Sequence, residues 1–151
     1  MKEFIESFNI IGISVKTCNT DGSAAKDIPA LWEKFAGERL DEKIPNRMDD
    51  AVYCIYTDYE GDFQHPYVTI LGCKVSSIEE VPEGLISKII PTSKYERIKL
   101  EGNISGDAIY DAWTKIWASD LNRSYLADFE VYSAEQCQSE NPSVDIYVSV
   151  K

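Results

Sequence analysis

The feature that most narrows what this chain can fold into is that one order of elements occurs twice. An alternating stretch at about 4 to 16 reads as a strand, and DIPALWEKFA reads as the helix after it. Asp27 ahead of Pro29 is a helix-start signal. Ile28, Leu31, Trp32 and Phe35 then keep the spacing of one helical face. Two strands follow, AVYCIYTDY (51 to 59) and PYVTILGCKV (66 to 75), joined by the turn-like Glu60-Gly61-Asp62. The second half adds a strand at GLISKII (84 to 90) and then repeats the plan. SKYERIKL (93 to 100) reads as a strand, and Ser105 and Asp107 are placed to start a helix. That helix carries Ile109, Ala112, Trp113, Ile116 and Trp117 on one face. YLADFEVYS (125 to 133) and VDIYVSVK (144 to 151) close the repeat as strands.

Individual residues correspond between the halves. Trp32-Glu33-Lys34-Phe35 lines up with Trp113-Thr114-Lys115-Ile116, and Tyr53-Cys54-Ile55-Tyr56 with Phe129-Glu130-Val131-Tyr132. The pattern predicts an α+β fold: duplicated β-α-β-β halves forming an antiparallel sheet, with two main helices and a central ligand cleft. One domain spanning 1–151 is expected, since this length suffices to bury a core.

Alternation in YLADFEVYS puts Glu130 on one face with Asp128 and Tyr132, and turns Phe129 and Val131 to the other. The matching first-half strand offers Cys54 and Tyr56 on the equivalent face, so only one half carries a carboxylate there. In VDIYVSVK the apolar side is Val144, Ile146, Val148 and Val150, which leaves Tyr147 to stand beside Glu130 and Tyr132 if the strands are neighbours. Two readings stay open at this level. Glu130, Tyr132 and Tyr147 either face water, or gather into a surface for a cation, which ring faces and a carboxylate both attract. The tryptophans divide in the same way: Trp32, Trp113 and Trp117 lie on apolar stripes and belong to the core, or turn one edge toward a cavity.

Charge and cysteines limit the rest. The formal net charge of −11 comes without any basic cluster, which argues against direct nucleic-acid binding and favours a cationic ligand. No run reaches the ~18 to 20 apolar residues of a membrane span, and the N-terminus lacks a signal-peptide cleavage site, so the expected compartment is the cytoplasm. Cys18, Cys54, Cys73 and Cys137 stand far apart with no CxxC pair and read as free thiols. His65, the single histidine, has no cysteine near it, and no metal or other cofactor is expected.

The order of elements, with "YDAWTKIW", "DFEVYS", the terminal "VDIYVSVK" and "YCIYTDYEGD" before "PYVTILGCKVSS", resembles the GyrI-like small-molecule-binding domains. These are the effector-binding domains of AraC-type and MerR-type bacterial regulators, and the stand-alone members, integron cassette proteins among them, are nearest in style. The resemblance covers 4 to 151 and rests on order and spacing together. It implies an aromatic-lined cavity between the halves that binds hydrophobic, often cationic compounds, with a buried glutamate as counter-ion. Glu130 matches that glutamate, Tyr132 the tyrosine following it and Trp113 the second-helix tryptophan. Tyr56 is carried over from its strand position, while Trp32, Phe35 and Tyr147 join the candidate site from geometry.

With the first strand beginning by residue 4, the resemblance implies a ligand-binding module without the regulators' helix-turn-helix, acting alone or through a partner. Three functions follow as expectations. The chain senses or sequesters small molecules; or it hydrolyses strained electrophiles with Glu130 as general base and Tyr132 or Tyr56 orienting the substrate; or it is a protein-interaction module of the gyrase-modulating kind. A homodimer through an edge strand is a further expectation.

Overall fold

The computed structural model describes residues 2–61, 64–138 and 140–151. In chain order the elements are β1 (Lys2–Ile5), β2 (Phe8–Thr17), α1 (Ser23–Gly37), α2 (Leu40–Lys43), β3 (Val52–Thr57) and β4 (Tyr67–Val75). The second half contributes β5 (Ile86–Ile90), β6 (Ser93–Glu101), α3 (Gly106–Ala118), β7 (Ala127–Tyr132), α4 (Ala134–Cys137) and β8 (Ser143–Val150). All eight strands form one antiparallel sheet in the order β1-β6-β8-β7-β3-β4-β2-β5. The α+β class and the paired halves are as expected.

The duplication goes further than strand, helix, strand, strand. The stretch read as one strand at 4 to 16 is two, broken at Glu6-Ser7, and β1 and β2 lie far apart in the sheet. β1 pairs with β6 of the second half, and β5 pairs with β2 of the first. Each half is therefore β-β-α-β-β and lends its first strand to the other. The linkers from β1 to β2 and from β5 to β6 meet, with Ser7 N donating to Thr92 Oγ1 at 2.9 Å. An approximate two-fold axis relates the halves. It passes through the centre of the sheet between β3 and β7, where Cys54 and Glu130 are direct cross-strand partners. The residues aligned from sequence are thus the pair that straddles the axis.

Side-chain alternation sorts the core into two sides. On one, Leu31 and Phe35 of α1 pack with Ile11, Cys54 and Leu71, and Trp113 and Ile116 of α3 pack on Ile146 and Val148. The other side carries Phe8, Tyr53, Ile70, Tyr95 and Phe129, and among the described residues no helix packs into that cluster, yet these residues are buried. The sheet covers that side by curling on itself. Phe8 of β2 and Phe129 of β7 bring their rings to 5.3 Å although β3 and β4 lie between their strands. Gly12 and Gly72 face each other across β2 and β4. A Cβ on Gly12 would stand 2.1 Å from the Leu71 carbonyl oxygen, so the two backbones approach where only glycine allows it.

Helix α1 begins one turn earlier than Asp27 and Pro29 signal. Gly22 takes a left-handed φ of 81°, and Asp21 Oδ1 accepts from Ser23 N at 2.9 Å. Asp21-Gly22-Ser23 is the start, and Pro29 lies inside the helix. Helix α3 starts as expected, with Ser105 Oγ accepting from Ala108 N at 3.3 Å. Of the turn read at Glu60-Gly61-Asp62, Asp62 lies outside the described residues, while Glu60 N donates to the Pro66 carbonyl at 3.0 Å.

Candidate ligand-binding site

Helices α1 and α3 lie on the same side of the sheet and leave between them a cavity of about 800 Å³ over β3 and β7. Its floor is Glu130, which is 1 % exposed. Both carboxylate oxygens are engaged. Oε2 accepts from Tyr56 Oη at 2.7 Å and from Trp113 Nε1 at 2.5 Å, and Oε1 accepts from the Tyr132 hydroxyl. Burial raises the Glu130 pKa, and the bonds from Tyr132, Tyr56 and Trp113 oppose that rise by favouring the ionised form. Burial likewise pushes the Tyr56, Tyr132 and Cys54 pKa values up, with the Glu130 charge adding to each, so all three remain protonated. Cys54 Sγ donates onward to Tyr56 Oη at 3.4 Å.

The second carboxylate of this strand is settled differently. Asp128 is fully buried, and its Oδ2 accepts from Arg123 Nη2 at 2.7 Å and from Tyr59 Oη at 2.5 Å. Its Oδ1 accepts from Ser149 N at 2.8 Å and Ser149 Oγ at 3.1 Å. The Arg123 guanidinium lies 4.3 Å over the Tyr125 ring. Asp128 therefore has its own cation within the protein. Glu130 has none among the described residues, and no lysine, arginine or histidine lines the cavity. The charges that do line it are acidic: Glu130 below, with Glu33 of α1 and Asp107 of α3 exposed.

The walls are aromatic. Trp113 meets Tyr56 edge to face with ring centroids 5.3 Å apart and planes at 79°. Trp32 meets Tyr132 at 4.9 Å and the same angle. Five of the seven candidate residues, Glu130, Tyr132, Tyr56, Trp113 and Trp32, thus come together at the cavity.

Phe35 and Tyr147 do not. Phe35 packs with Leu31 and Leu40 against the sheet, because the α1 stripe spans two rows: Leu31 and Phe35 face the strands, Ile28 and Trp32 the cavity. Tyr147 is displaced by register. β8 sets Ile146, and not Tyr147, opposite Glu130, and pairs Tyr147 with Phe129. Tyr147 stacks on Phe129 at 4.7 Å inside the curl, on the other side of the sheet.

Tyr59, Tyr67, Tyr110 and Asn19 line the cavity without having been foreseen. Tyr59 escapes strand parity because Asp58 takes a left-handed φ of 51°. Tyr67 shares parity with Leu71 and is legible once β3 and β4 are in register; its Oη donates to Asn19 Oδ1 at 2.6 Å.

A duplicated sheet-and-two-helix scaffold with a buried carboxylate under an aromatic cavity defines a GyrI-like small-molecule-binding domain. Over residues 3–150 the chain matches the family described as "Cass2: Integron-associated effector binding protein", and it belongs to that family. A crystal structure of an integron cassette protein from the mobile metagenome of Vibrio cholerae is 27% identical with a TM-score of 0.75, covering 100% of this chain and 95% of that one. The SAV2435 protein, solved bound to tetraphenylphosphonium, shares the fold at 14% identity with a TM-score of 0.79, over 100% of this chain and 93% of that one. YobU of Bacillus subtilis (strain 168) is 23% identical over 144 residues, 93% of this chain and 90% of its own. Among the described residues no helix is long and apolar enough to cross a membrane.

Proposed function

We propose that this effector-binding protein takes hydrophobic organic cations into the cavity, with Glu130 as counter-ion, and serves as a sensor or sequestering module for them. One observation carries the reading: Glu130 is a buried carboxylate that faces a cavity and has no cationic partner among the described residues, while Asp128 on the same strand has Arg123. An ionised carboxylate held in that state is costly, and a bound cation offsets the cost. The tetraphenylphosphonium held by SAV2435 is a ligand of the proposed kind. The five residues Glu130, Tyr56, Tyr132, Trp113 and Trp32 form the proposed binding set. As a hydrolytic base Glu130 is poorly disposed, because three donors already occupy its oxygens. Four free thiols suit the cytoplasm as the proposed compartment.

The test uses two tetraaryl ions of like shape and opposite sign. Tetraphenylphosphonium is expected to quench the tryptophan fluorescence saturably, and tetraphenylborate is expected not to bind. Equal binding of both would remove charge from the recognition and Glu130 from its role.

A further inference from the structure

The two-fold axis that relates the halves also organises the cavity. Glu130 stands beside it, across from Cys54, and the tyrosines that hold its two oxygens are symmetry counterparts, Tyr56 from β3 and Tyr132 from β7. Each tyrosine is met by the tryptophan of the opposite half: Tyr56 by Trp113, Tyr132 by Trp32. Those tryptophans are counterparts too, and the angle between rings is 79° in both pairs. Ile28 and Ile109, which correspond in the aligned helices, line the cavity one turn before each tryptophan. The result is two matching corners, each with a ring face and a ring edge, on either side of one negative charge.

We infer that the preferred ligands are cations bearing two flat aromatic arms, with the charged centre over Glu130 and one arm in each Trp–Tyr corner. This rests on the cation-binding reading above and adds to it a shape requirement. A corner of two perpendicular rings receives a third ring by stacking on one and meeting the edge of the other. Trp32 thereby becomes a specificity residue, equivalent to Trp113 for the arms although it makes no bond to Glu130. A cation with a single arm has a choice of two corners and needs only one of them.

Calorimetry on the intact chain at pH 8 with benzyltrimethylammonium and dibenzyldimethylammonium separates the claims. The second arm is expected to tighten binding at least tenfold. In Trp32→Ala that gain should vanish, while the one-armed probe weakens by no more than about twofold, the statistical cost of losing one of two equal corners. Trp32→Phe, which keeps a ring in place and guards against a folding defect, should retain most of the gain. Equal affinity of the two probes for the unaltered protein, or a second-arm gain that survives Trp32→Ala, overturns the inference and leaves the cation reading standing. Glu130→Gln should weaken both probes by the same factor; if it weakens neither, the cation reading fails and takes the inference with it.

Discussion

Replacing Glu130 by Gln is the most informative single change, because the geometry lets it alter charge with little else. A glutamine oxygen at the Oε2 position still accepts from Tyr56 and Trp113, and its NH₂ at the Oε1 position can donate to Tyr132 once that hydroxyl rotates. What is lost is the negative charge. A cation centred roughly 5 Å from the carboxylate, at an effective dielectric constant of about 20, gains about 3 kcal/mol from it. Affinity for tetraphenylphosphonium should fall about 100-fold by titration calorimetry. The free protein should move the other way. Burial raises the Glu130 pKa, so the folded state binds this proton more tightly than the unfolded chain. Its contribution to stability is complete below the unfolded value of 4.5 and is lost as pH rises through the higher folded value. At pH 8 Glu130→Gln should therefore stabilise the free protein, by about 1 kcal/mol, or roughly 2 to 4 °C in Tm.

Ligand binding carries the opposite pH sign. A cation prefers the ionised carboxylate, so affinity should climb with pH, by up to about tenfold per unit, until Glu130 is ionised in the free protein. Tyr56, Tyr132, Cys54 and Tyr67, whose pKa values burial and the Glu130 charge raise, stay neutral across that window. Both slopes should disappear in Glu130→Gln. A variant that binds the cation within threefold of the parent, or one that is less stable at pH 8 with a normal fold, would refute the argument that Glu130 is a strained charge awaiting a counter-ion.

Trp113→Phe removes one charge-assisted bond to Oε2, so the Glu130 pKa should rise further and the pH midpoint of cation binding should move upward with it. Arg123→Ala strands Asp128 as a buried charge and should cost about 3 to 5 kcal/mol in urea unfolding, whereas Asp128→Asn combined with Arg123→Met should recover much of that loss. Gly72→Ala would place a Cβ 2.3 Å from the Ile11 carbonyl oxygen; it should destabilise by about 2 to 3 kcal/mol and lower amide protection along β2 and β4. A thiol reagent should modify Cys18 and Cys137 in the native protein while the buried Cys54 and Cys73 react only on unfolding, the Cys73 thiol being held at about 11 by burial.

Local pattern carried most of the strands and both main helices, because each buries one regular stripe, and the Trp32–Trp113 and Cys54–Glu130 correspondences pointed to two related halves. Long-range register was not available to it. Whether β8 sets Ile146 or Tyr147 beside Glu130 depends on a one-residue choice of pairing, and that choice decides on which side of the sheet Tyr147 lies. The exchange of β1 and β5 between halves leaves no local mark for the same reason: alternation within a strand does not say which strand it pairs with. Glu130 itself shows the boundary most clearly. Alternation could say that it shares a face with Tyr132, but a face becomes a binding site only if something roofs it. The roof is α1 and α3, and they are held over the strand because Leu31, Phe35, Trp113 and Ile116 anchor them to the sheet on either side of the axis. The charge is therefore kept from water by helices from both halves at once, and loosening either anchor should relax the Glu130 pKa toward its ordinary value before it unfolds the sheet.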